Sequence, residues 1–107
     1  MYKIIAKKQL NSAVEEMVVH APYVARKCEP GQFIILRVDE AGERIPLTIA
    51  EYDRVNGTVT IIYQVVGHTT RLLSALKPGD SIVDFVGPLG QPTHLAQHSR
   101  VLGIGGG

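Results

Sequence analysis

Six short runs of β-forming residues, each fenced by turn residues, constrain this chain more than any other feature. Residues 2–10 end at Asn11-Ser12, and a second run follows over 13–20. Pro30-Gly31 opens a third over 33–38, which the acidic turn Asp39-Glu40-Ala41-Gly42-Glu43 closes, and residues 45–52 form a fourth. The fifth run, 58–66, is the strongest. It is entered through Asn56-Gly57, a dipeptide that signals a hairpin when it lies between two such runs. Lys77-Pro78-Gly79-Asp80 introduces the sixth, over 81–86. Strands at this spacing predict an all-β fold, a small sandwich or a closed barrel, and of the two a six-stranded antiparallel Greek-key barrel is the reading adopted. Residues 69–76 depart from the pattern: Leu72, Leu73 and Leu76 fall at helical spacing, Thr69 or Thr70 can cap the start, and Pro78-Gly79 stops the run. One short helix is therefore expected, inserted before the last strand. A weaker helical turn is read over 23–27.

With 107 residues and 45% hydrophobic content the chain has room for one domain and enough apolar surface for a core. Eleven Lys and Arg against ten Asp and Glu leave a formal charge of +1. That lacks the basic surplus of a dedicated nucleic-acid or anionic-membrane binder, so neither partner is expected. Cys28 is the single cysteine, which excludes an internal disulfide, a paired redox motif and a thiolate-ligated iron–sulfur cluster within these residues. No metal ligand set is read. No apolar run approaches the ~18 residues of a membrane span, and the opening residues lack a signal-peptide pattern, so a cytoplasmic location is expected. At the other end, Val101-Leu102-Gly103-Ile104-Gly105-Gly106-Gly107 is an apolar run entering a glycine cluster, as a dinucleotide-binding βαβ unit begins. The chain is read as a fragment that stops where a second domain would start.

Three patches could carry chemistry. In Arg44-Ile45-Pro46-Leu47-Thr48-Ile49 the Arg can reach an anion, Pro46 removes a backbone donor, and Thr48 shares a face with Pro46 if the strand is regular. The plainer alternative is an edge strand whose Arg pairs with Asp39, Glu40 or Glu43. In Val66-Gly67-His68-Thr69-Thr70-Arg71 a glycine at a strand end precedes a hydroxyl-rich helix start, where free N–H groups suit a phosphate. An ordinary capped helix would look the same. Gly87-Pro88-Leu89-Gly90 marks a turn with special backbone needs.

Taken in order, Pro30-Gly31-Gln32-Phe33, Arg44-x-Pro46-x-Thr48-Ile49, Gly67-x-x-Thr70, Pro78-Gly79-Asp80, Gly87-Pro88-Leu89-Gly90 and the terminal glycines resemble the ferredoxin–NADP reductase superfamily over nearly the whole chain. The similarity is greatest to electron-transfer subunits of dihydroorotate dehydrogenase and to sulfide dehydrogenase or NADH-dependent ferredoxin–NADP oxidoreductase subunits. The resemblance implies that residues 1–98 are an FAD-binding barrel and 99–107 the start of an NAD(P)-binding domain. It implies that Arg44 contacts the FAD pyrophosphate and that Thr48 hydrogen-bonds near flavin N5, orienting the ring without acting as a strong acid or base. Pro46, Leu47 and Ile49 would line the isoalloxazine. Tyr63, Gln64 and Val65 would run beside the ribityl chain, and Gly67, His68, Thr69 and Thr70 would cup the diphosphate. Gly87-Pro88-Leu89-Gly90 would let the chain turn close to the nicotinamide domain.

Leu47 stands where plant-type reductases of the superfamily carry a stacking Tyr, which removes an aromatic term of about 0.5–1.5 kcal/mol. The implied function is passage of electrons between NAD(P)H and an iron–sulfur or ferredoxin partner through flavin, with a catalytic or iron–sulfur partner subunit. NAD(P)H and a [2Fe–2S] cluster are implied only for the full-length protein, and the isolated chain is expected not to turn over NAD(P)H. The alternative is a non-catalytic β-barrel for protein–protein contact, which needs no phosphate cradle. A nucleic-acid-binding barrel suits the strand pattern, but six aromatic residues and a charge of +1 supply little stacking surface and no electrostatic funnel.

Overall fold

A computed structural model describes residues 1–91 of the chain. Seven strands and two helices follow in the order β1 (Tyr2–Gln9), β2 (Val14–His20), α1 (Pro22–Lys27), β3 (Phe33–Arg37), β4 (Ile45–Asp53), β5 (Thr58–Gln64), α2 (His68–Ser74), β6 (Ser81–Ile82) and β7 (Asp84–Leu89). Each expected run became a strand within a residue or two, except the last. The run 81–86 is divided at Val83, so the strands number seven where six were expected, and α2 precedes the last two strands. The boundary expected between 98 and 99, and the glycine cluster after it, lie outside the described residues.

The division at Val83 is what closes the barrel. All pairings are antiparallel, in the order β6-β1-β2-β5-β4-β3-β7. Ser81 and Ile82 pair with the start of β1, while the residues after Val83 pair with β3. The two ends of the sheet are thus joined through one residue, and the sheet must curl until they meet. A strand serving two neighbours in this way turns between them, which breaks its ladder. Strands β3, β4 and β5 follow one another as hairpins, and β2, connected to β3 through α1, lies beside β5: a Greek key.

Alternation fills the interior. Met17 and Val19 from β2, Ile34 and Leu36 from β3, and Val59, Ile61 and Tyr63 from β5 are buried with Ile4, Ile82 and Phe85 in one core. The Asn56-Gly57 turn forms as expected: Gly57 takes φ +70 and its N–H donates to the Asp53 carbonyl at 2.8 Å. The weakly signalled turn over 23–27 is the helix α1, with Pro22 in its first turn and Val24 and Ala25 turned into the core. The Arg54 guanidinium closes its far end, donating to the Ala25 carbonyl at 3.2 Å and the Cys28 carbonyl at 2.6 Å. Cys28 is buried beneath it, and burial pushes its thiol pKa up against the opposing pull of the Arg54 charge.

Candidate functional site: the parting of β4 and β5

Strands β4 and β5 are paired only over part of their length. Their ladder runs from Asp53↔Thr58 to Ile49↔Ile61, and the first residues of β4, Ile45 to Thr48, pair with β3 alone. The register shifts between Ile49 and Glu51, where β4 carries one extra residue, Ala50. Such a bulge bends its strand, and here it turns the start of β4 away from β5. Pro46 fits this arrangement: a residue without an N–H is tolerated where a strand behaves as an edge.

The outer walls of this fork follow from alternation. On β4, Pro46 and Thr48 are exposed, whereas Ile45 and Leu47 are half-buried and Ile49 is buried in the core. On β5 and just beyond it the outward positions are Ile62, Gln64 and Val66. Ile62 and Val66 are large apolar side chains left 42% and 64% exposed on this face. Ile62 was not singled out in the sequence, and Val66 only as the start of the glycine loop, because in a run so rich in β-formers the face cannot be read from composition. Tyr63 and Val65 point the other way. Tyr63 is buried and donates its phenol to the Glu15 carboxylate at 2.9 Å, and Val65 packs against the core. Of the residues expected beside the ribityl chain, Gln64 alone turns its side chain outward. Tyr63 pKa is pushed well above the ordinary tyrosine range by burial first and then by the Glu15 carboxylate.

At the end of the fork the segment from Val66 to α2 forms a second feature. Thr70 Oγ1 accepts from the N–H groups of Val66 and Gly67, both at 3.0 Å, and donates to the Gly67 carbonyl at 3.1 Å. Thr70 therefore shapes the loop with its own hydroxyl. The first intrahelical bond comes from Arg71 N–H to Gly67, which leaves the N–H groups of His68 and Thr69 without an acceptor among the described residues. Gly67 has an ordinary extended backbone, and a Cβ added there would meet nothing within 4 Å. The side of the loop lies open.

Arg44 is brought to the same place. Glu43, its neighbour, accepts a hydrogen bond from the buried Thr69 hydroxyl at 3.1 Å, tying the start of β4 to the start of α2. Arg44 itself is 61% exposed and lies 3.4 Å from Asp84 Oδ2, an oxygen that Arg37 Nε already holds at 2.8 Å. The acidic partner is thus Asp84 from β7, not one of the turn residues Asp39, Glu40 or Glu43. An exposed, shared contact of this kind holds Arg44 weakly and leaves it free to turn to another anion. His68 is exposed on the first turn of α2.

The exit of the barrel borders the fork as well. Phe33 on β3 lies between Thr48 on β4 and Leu89 on β7. Gly90, at φ +83, passes so close to the Phe33 ring that a Cβ would fall 2.9 Å from it, and Gln32 Nε2 donates to the Gly90 carbonyl at 2.8 Å. Arg44 is thus carried beside the start of α2 by the Glu43–Thr69 bond; Pro46, Thr48, Gln64 and His68 are exposed, Leu47 is half-buried, and Ile49, Tyr63 and Val65 turn their side chains into the barrel. Among the described residues no cluster of metal-ligating side chains exists, and no helix is long and apolar enough to cross a membrane.

The barrel and the likenesses that follow place the chain in the ferredoxin reductase-like superfamily. Several of its relatives are named as electron-transfer subunits. The chain is 42% identical over 105 residues to a dihydroorotate dehydrogenase B electron-transfer subunit homolog of Thermotoga maritima, covering 98% of this chain and 37% of that protein. It is 36% identical over 110 residues to the dihydroorotate dehydrogenase B electron-transfer subunit of Geobacillus thermodenitrificans, covering 97% and 42%. Among solved structures, an NADH-dependent reduced ferredoxin-NADP oxidoreductase studied for flavin-based electron bifurcation superposes with a TM-score of 0.86 at 41% identity, over 88% of this chain and 34% of that one. A ferredoxin NADP+ reductase from Neisseria gonorrhoeae with bound FAD and NADP shares the fold at a TM-score of 0.65 and 17% identity, over 80% and 37%. No family model matches the chain. The chain spans about a third to two-fifths of the length of these relatives.

Proposed function

We propose that this chain is the FAD-binding barrel of an electron-transfer subunit, passing electrons between NAD(P)H and an iron–sulfur or ferredoxin partner. The observation that carries this reading is the convergence of two features on one groove. An apolar, outward-facing fork made by Pro46, Thr48, Ile62 and Val66 suits a flat ring. Beside it, the open backbone at Gly67 with the free N–H groups of His68 and Thr69 suits a phosphate. A Cβ at Gly67 would occupy that open space, so the residues present fit the cofactor.

In this reading Arg44 leaves its weak contact with Asp84 to neutralise the diphosphate, a charge-assisted bond stronger than the one it gives up. Thr48 places its hydroxyl against the ring and orients it. Leu47 and Ile49 support the ring's wall from beneath, and Thr70 holds the 66–67 loop with its hydroxyl, leaving the N–H groups of His68 and Thr69 to the phosphate. When bound, the flavin supplies the conversion between two-electron and one-electron transfer. NAD(P)H, a [2Fe–2S] cluster and a catalytic or iron–sulfur partner subunit belong, in this proposal, to the longer protein. Residues 1–98 form the barrel, 99–107 open its nucleotide-binding neighbour, and the chain alone does not turn over NAD(P)H. The location proposed is the cytoplasm.

Titration of the chain with FAD, followed by quenching of flavin fluorescence, tests this. Arg44→Ala is expected to weaken binding by about tenfold or more, the loss of one charge-assisted hydrogen bond. Thr48→Val should change the visible spectrum of the bound flavin while moving affinity much less. A chain that quenches no flavin fluorescence refutes the proposal, as does rapid NADPH oxidation by the purified chain for the part concerning turnover.

A further inference from the structure

Helix α2 carries the phosphate-facing loop at its start, yet little holds it to the barrel. Leu73 is its one fully buried apolar side chain, with Leu72 and Leu76 packed partly against the core. Strands β5 and β7 approach α1 closely along their backbones, and among the described residues no strand approaches α2 in that way. What fastens its far end is polar. Glu15, on β2 and only 8% exposed, accepts from Ser74 Oγ at 2.8 Å with one oxygen and from the Tyr63 phenol at 2.9 Å with the other. Lys7 Nζ lies 3.7 Å from the same carboxylate and donates to the carbonyls of Ser74 and Leu76, the latter at 2.8 Å.

We infer that Glu15 is a positioning residue for the flavin site, setting through Ser74 and Lys7 where α2 stands and hence where the 66–70 loop presents its N–H groups. The inference rests on the flavin reading above. The geometry makes α2 a short rod held at both ends. Glu43 grips it at Thr69, and Glu15 with Lys7 grips it at Ser74 and Leu76. Seven helical residues rise about 10 Å, so the Ser74 end that Glu15 holds stands about that far from the loop at the start of α2. With one buried leucine as its hydrophobic anchor, a helix freed at one end can pivot at the other. A buried carboxylate with three partners is costly to assemble, since every one of them must be desolvated. A role confined to stability would be met more cheaply by an apolar side chain.

Two measurements on the 107-residue chain test this: FAD affinity, and amide hydrogen exchange over residues 66–71 without FAD. Ser74→Ala and Glu15→Gln should each raise the FAD dissociation constant about fivefold or more and speed exchange in that segment. Ser74→Thr, which keeps the hydroxyl, should stay within about twofold of the unsubstituted chain. Arg54→Ala releases the α1 carbonyls instead; it should lower Tm while leaving FAD affinity and 66–71 exchange unchanged. Affinity that falls in step with Tm in all the variants, Arg54→Ala included, overturns the inference, and so does Ser74→Ala without effect on either readout. An unsubstituted chain that takes up no FAD overturns the flavin reading, and exchange then decides the coupling: faster amides at 66–71 uphold it, unchanged ones overturn it.

Discussion

Tyr63 stands where alternation along β5 turns it inward, and its phenol ends against a buried carboxylate. Both burial and that carboxylate favour the neutral phenol, so its pKa is raised in the folded chain. A raised pKa stabilises the fold fully below the unfolded value of about 10, and the stabilisation fades as pH climbs above it, because only the unfolded chain can then ionise. Chemical denaturation between pH 8 and pH 11 should show stability falling above pH ~10, and Tyr63→Phe should flatten that fall. At pH 8 the same substitution should cost about 1–2 kcal/mol for the lost hydrogen bond. This residue also marks where sequence reading stops. Ile61, Ile62, Tyr63, Val65 and Val66 are all good strand formers with apolar bulk, and nothing local says which of them faces in. The pairing with β2, which sets Tyr63 opposite Glu15 from forty-eight positions earlier, fixes the phase, and a partner at that distance leaves no local trace.

At the scale of elements, punctuation carried most of the information. Asn56-Gly57 and Pro30-Gly31 precede strands that formed where expected, and Pro78-Gly79 marks the start of the run that was then divided, because turns that need special backbone conformations restrict the residues allowed in them. Pro46 inside a strand was the visible trace of the fork, although it became interpretable only once β4 was seen to lack a β5 partner there. The bulge at Ala50 left no such mark, since an extra residue in one strand is defined by its neighbour's count. Helix α2 was legible from its leucine spacing and α1 barely so, being six residues with two buried. Since Leu73 is the one completely buried apolar anchor of α2, Leu73→Ala should lower stability by about 2–4 kcal/mol, measurable by urea denaturation. It should also weaken FAD binding, as the helix and its loop move together.

For the molecule as a whole, closure is the organising fact, and it was not written in any turn residue. Val83 sits between Ile82 and Asp84 with no glycine or proline to announce that the chain changes neighbours there. A barrel was nonetheless one of the two folds expected from six short strands, the other being a small sandwich, and the superfamily resemblance favoured the barrel. The close approach of Gly90 to Phe33, beside Thr48, sets the end of β7 next to the start of β4.

That one-residue hinge also makes the closure sensitive to parity. Side chains alternate in and out with a period of two, so adding a single alanine after Val83 would invert everything downstream: Phe85 would swing out to water and Val86 would be driven into the interior. Gly90 would lose its seat beneath Phe33, and the chain would leave the barrel on the wrong side. Adding two alanines would restore the phase. Scanning calorimetry should therefore find cooperative melting abolished by one inserted residue and partly recovered by two, the opposite of what chain slack alone would produce.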